Sequence, residues 1–373
     1  MIVKSLVRTL FAGLILVSMV ACSDINDANT PMWPGAGTGT NTSTNNSGGI
    51  PADFVKVNGG TVSGQIADSK VFIENRTVDI RDMYVCTHEV TQKEFKQYMK
   101  MYVWTIYTNG PYSLESQFDS GEGDNYPIFW TTWYAAIIYC NLRSKAEGLT
   151  PCYYITINGK DETDIAKWMA LDLEYALPNT SEPYKCFDCE DGKYFYNGSQ
   201  GSGGAWQPLL DYTGESDTDG GIQFNTSANG YRLPTEVEWE YIAREGNKGI
   251  PATQYLYSGS DDPVGFVVGD GSVSQNGAMI KTKAPNALGI YDMSGNAFEW
   301  VWDWYEQDSN ISASTPATGP EVCYSNNGGS EGRVKKGGSH NNNIAISKIY
   351  TRSSYAPGFA NQGAGFRLVR NAD

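Results

Sequence analysis

Histidine and cysteine supply much of the nucleophilic and metal-binding chemistry available to a chain, and here there are two of the first and seven of the second. His88 and His340 cannot build a three-histidine zinc or iron centre within one chain. A histidine general base would have to be one of these two. His88, in YVCTHEVTQ, stands just ahead of a helix cap and reads as a boundary residue. His340 follows Gly337-Gly338-Ser339 without the G-x-S-x-G elbow of a serine hydrolase. Cys186 and Cys189 form a lone CxxC, and no second pair is present to complete a structural zinc site.

The elements that would position such residues begin after an address. Lys4 and Arg8 precede an apolar run from Leu10 to Val20, too short to span a membrane comfortably, so residues 1–21 read as a signal peptide. Met19-Val20-Ala21-Cys22 resembles a bacterial lipobox, with Cys22 as the lipidated first residue of the mature chain. Residues 22–50 are rich in Gly, Ser, Thr and Asn and read as a flexible tether. A lipid anchor holds a protein on a membrane without a transmembrane helix. In an exported chain, Cys86, Cys140, Cys152, Cys186, Cys189 and Cys323 could form up to three disulfides.

A length of 373 residues allows two domains or one large one, and 10 Trp, 24 Tyr and 13 Phe are ample for a core. The net charge of −15 argues against a nucleic-acid partner, which needs a basic patch. Three helices are legible. One starts at Thr91, with Glu94 completing a capping box, and runs to about Met101. A second starts near Thr131–Thr132, with Trp133, Ala136, Ile137 and Cys140 on one apolar face and Gly148 at its close. A third starts at Thr235 with a capping box to Glu238 and presents Val237, Tyr241 and Ile242. Residues 296–304 and 365–370 read as strands, and 156–228 as an insertion. The class is α+β and loop-rich, with one body over 51–373.

Five segments carry a family resemblance: EVTQKEF at 89–95, YPIFWTTWYAAIIYCNLRSKAEGLTPCYYI at 126–155, NGYRLPTEVEWEYIAREG at 229–246, NALGIYDMSGNAFEWVWDWY at 286–305, and RVKKGGSHNNN…GAGFRLVR at 333–370. Together they resemble the formylglycine-generating-enzyme, or sulfatase-modifying-factor, family, and the segment at 126–155 is similar to its spirochaete lipoprotein members. The resemblance implies a C-type-lectin-type fold with the two termini in neighbouring strands. Within it, Arg232 reads as an ion-pair or loop-ordering residue, and Trp239, Trp300 and Trp302 as core.

Sulfatase-activating members use a cysteine pair after the GGS motif, and those places are Asn342 and Ser347 here. An amide and an alcohol cannot replace a thiolate as nucleophile and soft metal ligand. A second branch uses a histidine-rich iron site, which two histidines cannot supply. The sequence therefore reads as a non-enzyme.

A third branch, the variable proteins of diversity-generating retroelements, implies a rewritten segment from GGS to GFR, here residues 340–364. The face expected to bind an unknown protein or surface ligand comprises His340, Asn341, Asn342, Ala345, Ser353, Ser354, Tyr355, Gly358, Phe359 and Asn361. Ile344, Ile346 and Ile349, with Lys348, Arg352 and Pro357, are the expected scaffold. Ile344 and Ile346 alternate as in a strand, with Ala345 pointing the other way. Tyr, Ser, Gly and Asn form an adaptable contact vocabulary. The resemblance also implies a structural calcium ion on the side chains of Asp292 and Glu299 and the carbonyls of Gly295 and Ala297.

The reading is a lipid-anchored envelope protein, placed at the outer membrane and cell surface, that binds a ligand without catalysis. The alternatives are an oxidase or other enzyme of the same fold, or a non-diversified interaction lipoprotein.

Overall fold

The computed structural model describes residues 50–63, 76–99, 121–157, 159–169, 196–197, 207–208, 222–246, 255–269, 277–306, 310–320, 332–355, 357 and 362–372. Cys22, the signal peptide and nearly all of the tether lie outside them, as do Cys186, Cys189, Cys323, Gly358, Phe359, Asn361 and most of the expected insertion.

The chain runs through β1 (Phe54–Val57), β2 (Gly60–Ser63), β3 (Thr77–Ile80), β4 (Met83–Cys86), α1 (Gln92–Tyr98), α2 (Trp133–Ala146), β5 (Tyr153–Ile157), β6 (Lys160–Glu162) and α3 (Ile165–Met169). It continues through β7 (Tyr196–Asn197), β8 (Gln207–Pro208), β9 (Gln223–Phe224), β10 (Tyr231–Arg232) and α4 (Glu236–Ala243). It closes with β11 (Phe298–Trp304), β12 (Arg333–Lys336), β13 (Ser353–Tyr355), β14 (Ala364–Gly365) and β15 (Val369–Asn371).

Two four-stranded sheets organise the body, in the orders β1-β4-β15-β10 and β13-β12-β11-β14. The first strand and the last share a sheet but are not direct neighbours, because β4 pairs with both. The expected strand over 365–370 is two strands. β14 runs parallel to β11, and β15 then joins the other sheet. Between them Phe366 and Leu368 enter one core while Arg367 turns to Glu299. The carbonyls of Phe366 and Leu368 accept from Val90 and Cys86, so the crossover leaves no broken ladder.

All three helices start where their caps predict. Thr91 and Thr235 each accept from the N3 amide while Glu94 and Glu238 return to the cap, and Thr132 caps α2. α1 stops at Tyr98, with Met99 extended, earlier than its pattern suggests. Every residue of α2 from Trp133 to Asn141 is buried, so the helix has no solvent face over its first two turns. Gly148 takes φ 71°, the left-handed value that ends a helix.

Two apolar clusters flank the sheets. One gathers α1 and α2 with Tyr153, Trp300 and Phe366, and the other packs α4 against Val85, Val301, Val334 and Val369. Trp239 and Trp300 are fully buried and Trp302 half-buried, as core residues. Arg232 forms a bidentate pair with Glu238 at 2.6 and 2.8 Å. Cys86, Cys140 and Cys152 are free thiols buried in the first cluster, so none of the expected disulfides forms among them. Burial pushes the Cys86 thiol up to about 12 and Cys152 to about 11, which makes them inert packing groups. Among the described residues, no helix is long and apolar enough to cross a membrane.

Candidate functional site

β12 leads into Gly337 and Gly338, at φ 88° and 75°, and two successive left-handed residues reverse the chain. A Cβ on Gly338 would stand 2.5 Å from Ser347 Oγ, so glycine lets the two ends of the following loop close together. Ser339 Oγ then lies 2.7 Å from Asn341 Oδ1 and 2.6 Å from Asn342 Oδ1, able to donate to either. Asn341 in turn donates to Gln362 at 3.5 Å, tying the start of the loop to its end.

Residues 344–347 form a 3₁₀ turn, not the expected extended segment, because the Asn343 side chain caps it by accepting from Ala345 N at 2.9 Å. The turn changes which side chains are outside. Ala345 and Ile346 are exposed, Ile344 is half-buried, and Ile349 is in the core. Ile346 therefore belongs to the surface and not to the scaffold. β13 follows as an edge strand, with Ser353 and Ser354 half-buried and Tyr355 exposed.

The base of this loop is pinned by charge. Arg352 donates to Glu236 through Nε at 2.7 Å and Nη2 at 3.0 Å, and to the Glu306 carbonyl at 2.8 Å. Its guanidinium lies 4.9 Å from the Tyr305 ring centre. Lys336 meets Glu236 at 3.3 Å and Glu240 at 3.8 Å. Pro357 accepts from Trp133 N at 3.0 Å, which holds the far end of the loop to the start of α2. Arg333 is stacked among Trp133, Trp302 and Trp304, with centroid distances of 4.0, 4.8 and 3.7 Å.

His340 does not belong to the binding face. It is fully buried, edge-on to Phe129 at 5.0 Å, and the Asn296 carbonyl lies 2.8 Å from its backbone N–H and 2.9 Å from Nδ1. Among the described residues Nε2 has no partner, and burial lowers the ring's pKa, both consistent with a neutral imidazole that donates from Nδ1. Asn341, Asn342, Ala345, Ser353, Ser354 and Tyr355 all keep some exposure. Ile346 and Lys335 were not foreseen as site residues. The cap at Asn343 was the available signal for the first. No local signal marks the second, since its surroundings come from two remote strands, β11 and β13.

Of the expected calcium donors, Glu299 does not fit the ion. Glu299 is buried, with both oxygens held by Arg367 at 2.6 Å and Oε2 also accepting from Trp239 at 2.7 Å. A guanidinium already supplies the positive charge the ion would bring. Asp292 accepts from Lys281 N at 2.7 Å and keeps one buried oxygen without a partner. Burial raises its pKa to about 6. The amides of Gly295 and Ala297 donate to the Gly337 carbonyl and to Glu89, which leaves the carbonyls expected as donors unengaged by these bonds. Asn342 and Ser347, the places of the cysteine pair in sulfatase-activating relatives, are a half-buried amide and a buried hydroxyl.

Comparison with known proteins agrees with this geometry. A family model for the sulfatase-modifying factor enzyme 1-like domain matches residues 40–372. A chaperone protein LppX of Paenibacillus barcinonensis is 27% identical over 344 residues, covering 86% of this chain and 90% of that protein. The formylglycine-generating enzyme of Streptomyces coelicolor is 32% identical over 161 residues, 39% of this chain and 48% of the enzyme, so the match spans only about half the enzyme. Among solved structures, Treponema denticola variable protein 1 superposes with a TM-score of 0.58 at 23% identity, covering 85% of this chain and 94% of that one. The structure of CarF superposes with a TM-score of 0.53, also at 23% identity, over 87% of this chain and 100% of that one.

Proposed function

Because the chain belongs to the sulfatase-modifying factor enzyme 1-like domain family, we propose that it uses the fold for binding and not for catalysis. Its ligand is an unknown protein or surface partner. The contact region is Asn341, Asn342, Ala345, Ile346, Ser353, Ser354 and Tyr355, with Gly358, Phe359 and Asn361 continuing the segment. One observation carries the reading. The loop that bears the family's thiol chemistry elsewhere has Asn342 and Ser347 at those places, yet it is held rigid at its base by Arg352 on Glu236 and exposes small, polar and aromatic side chains. A fixed scaffold under an adaptable loop is how binding residues are commonly displayed.

In the finer reading, residues 340–364 are rewritten by a retroelement, and Cys22 carries a lipid that holds the body at the cell envelope, on the outer membrane and facing outward. The deciding observation is genomic. A template repeat beside the gene should differ from the coding DNA only at adenines within codons 340–364, and the lack of any such repeat would remove the diversification. Incubation with a sulfatase-derived cysteine peptide should yield no aldehyde, and aldehyde formation would overturn the non-catalytic reading.

A second reading follows from the relative that matches over nearly its full length and is named a chaperone protein. The same surface would then hold a client protein. Suppression of client aggregation that survives substitution of Ala345, Ile346 and Tyr355 would argue against that use of the loop.

A further inference from the structure

Among the described residues, Lys335 is a buried cation with no anion. Its side chain is 3% exposed, and among the described residues no carboxylate lies within ion-pair distance of its Nζ. The adjacent Lys336, on the opposite face of β12, meets two glutamates. Around the Lys335 ammonium stand three rings, with centres 4.6 Å away at Phe298, 5.6 Å at Trp300 and 4.9 Å at Tyr355.

Cation–π attraction to three rings recovers part of the cost of removing an ammonium from water, but an ion buried without a counter-charge is left under-compensated. Consistent with that imbalance, desolvation lowers the pKa of Lys335 to about 8, which still leaves it mostly protonated near neutral pH. Phe298 and Trp300 are buried walls, whereas Tyr355 is 37% exposed on the edge strand. Lys335 pairs in register with Trp300 on one side and Ser353 on the other, so the half-buried Ser353 lies beside it on the edge strand.

We propose that Lys335 is the anchor for a ligand carboxylate carried on an aromatic or apolar body, entering from the Tyr355 side of the cage. The carboxylate supplies the missing charge, and Phe298 and Tyr355 offer ring faces to the body that carries it. An uncharged amide of the same shape gains the stacking without the ion pair. The inference rests on the binding role proposed above and adds a division of labour. Lys335 lies outside residues 340–364 and stays constant, while position 355 lies inside them and changes the doorway.

Benzoate is the probe, with benzamide as its neutral control. The full chain is labelled with trinitrobenzenesulfonate, and the modification of each lysine is read by peptide mass spectrometry. Benzoate should slow labelling of Lys335 by at least about tenfold, the ratio set by a modest ion pair, and benzamide should not. Lys93, whose side chain is 71% exposed, should be unaffected by either. Tyr355→Ala, a change at an exposed edge, should speed the labelling of Lys335 when no benzoate is present. Equal protection by benzoate and benzamide, or none by either, would overturn the assignment. These results are independent of the genomic test. A missing template repeat with benzoate protection intact removes the diversified face and keeps the lysine site, and the opposite pair of results removes the lysine site alone.

Discussion

Arg367 grips both oxygens of Glu299, with Nη2 2.6 Å from Oε1 and Nε 2.6 Å from Oε2, and both side chains are closed to solvent. Arg367 also donates to the Cys86 and Tyr291 carbonyls, so one side chain ties β11, the end of β4 and the loop before β11 to the crossover between β14 and β15.

Arg367→Met would leave Glu299 buried with only Trp239 as a donor. Removing one partner of a buried pair costs about 3–5 kcal/mol. Urea denaturation should show a loss of that order, and a loss below about 1 kcal/mol would mean the pair is unimportant to stability.

Calcium should leave the melting temperature of the wild-type protein unchanged, because Glu299 is committed to Arg367. A rise that saturates with calcium would show that some other set of oxygens binds the ion.

The stability contributed by Asp303 and Asp292 should fall as pH rises from about 4 to about 8. Burial beside Glu236 raises the carboxyl of Asp303 to about 8, and burial raises Asp292 to about 6. Both folded values lie above the ordinary carboxylate range near 4, so the folded state holds protons that the unfolded chain has released. Their stabilisation is complete below about pH 4 and is lost through their folded values. Asp303→Asn should flatten the upper part of the decline in a series of thermal melts. An unchanged slope would assign the effect to other groups.

Ala345→Ser, Ile346→Ser and Tyr355→Ser should each change folding stability by no more than about 0.5 kcal/mol, as is usual for surface positions. Arg352→Ala should cost about 3 kcal/mol, because Glu236 would keep only Lys336 as an ion-pair partner among the described residues. Urea midpoints on the four variants check this. A surface variant as costly as Arg352→Ala would show that the loop is structural throughout.

The parts of the fold that could be read in advance are those with local causes. Thr91 with Glu94, and Thr235 with Glu238, are three residues apart, and both caps form as their spacing implies. The aromatic run at 296–304 gives β11 for the same reason, a continuous buried strand. What could not be read depends on remote partners. His340 is buried because Phe129 and Asn296 meet there, far away in the chain. Ile344 and Ile346 looked like strand alternation, but one side-chain cap at Asn343 turns the backbone into a 3₁₀ helix and puts Ile346 outside. Glu299 looked like a metal ligand because acidic oxygens suit calcium, and only the return of Arg367 from the far end of the chain claims it. Lys335 gave no signal at all, since its rings come from β11 (Phe298 and Trp300) and β13 (Tyr355), both remote from it in the chain.

The pin between Arg352 and Glu236 also bears on variation. Arg352 lies inside residues 340–364, so any mechanism that rewrote that segment would meet one letter it could change only at a cost to folding. Ser347 and Ile349, both buried, are further letters of that kind. The number of distinct receptors that such a segment can encode is set by how many positions can be drawn independently, and each position tied to folding divides that number by the whole alphabet. If that segment is rewritten as proposed, a pin relocated to a residue before Gly337 would free one more draw, and the size of such a repertoire would be written partly in the placement of a single guanidinium.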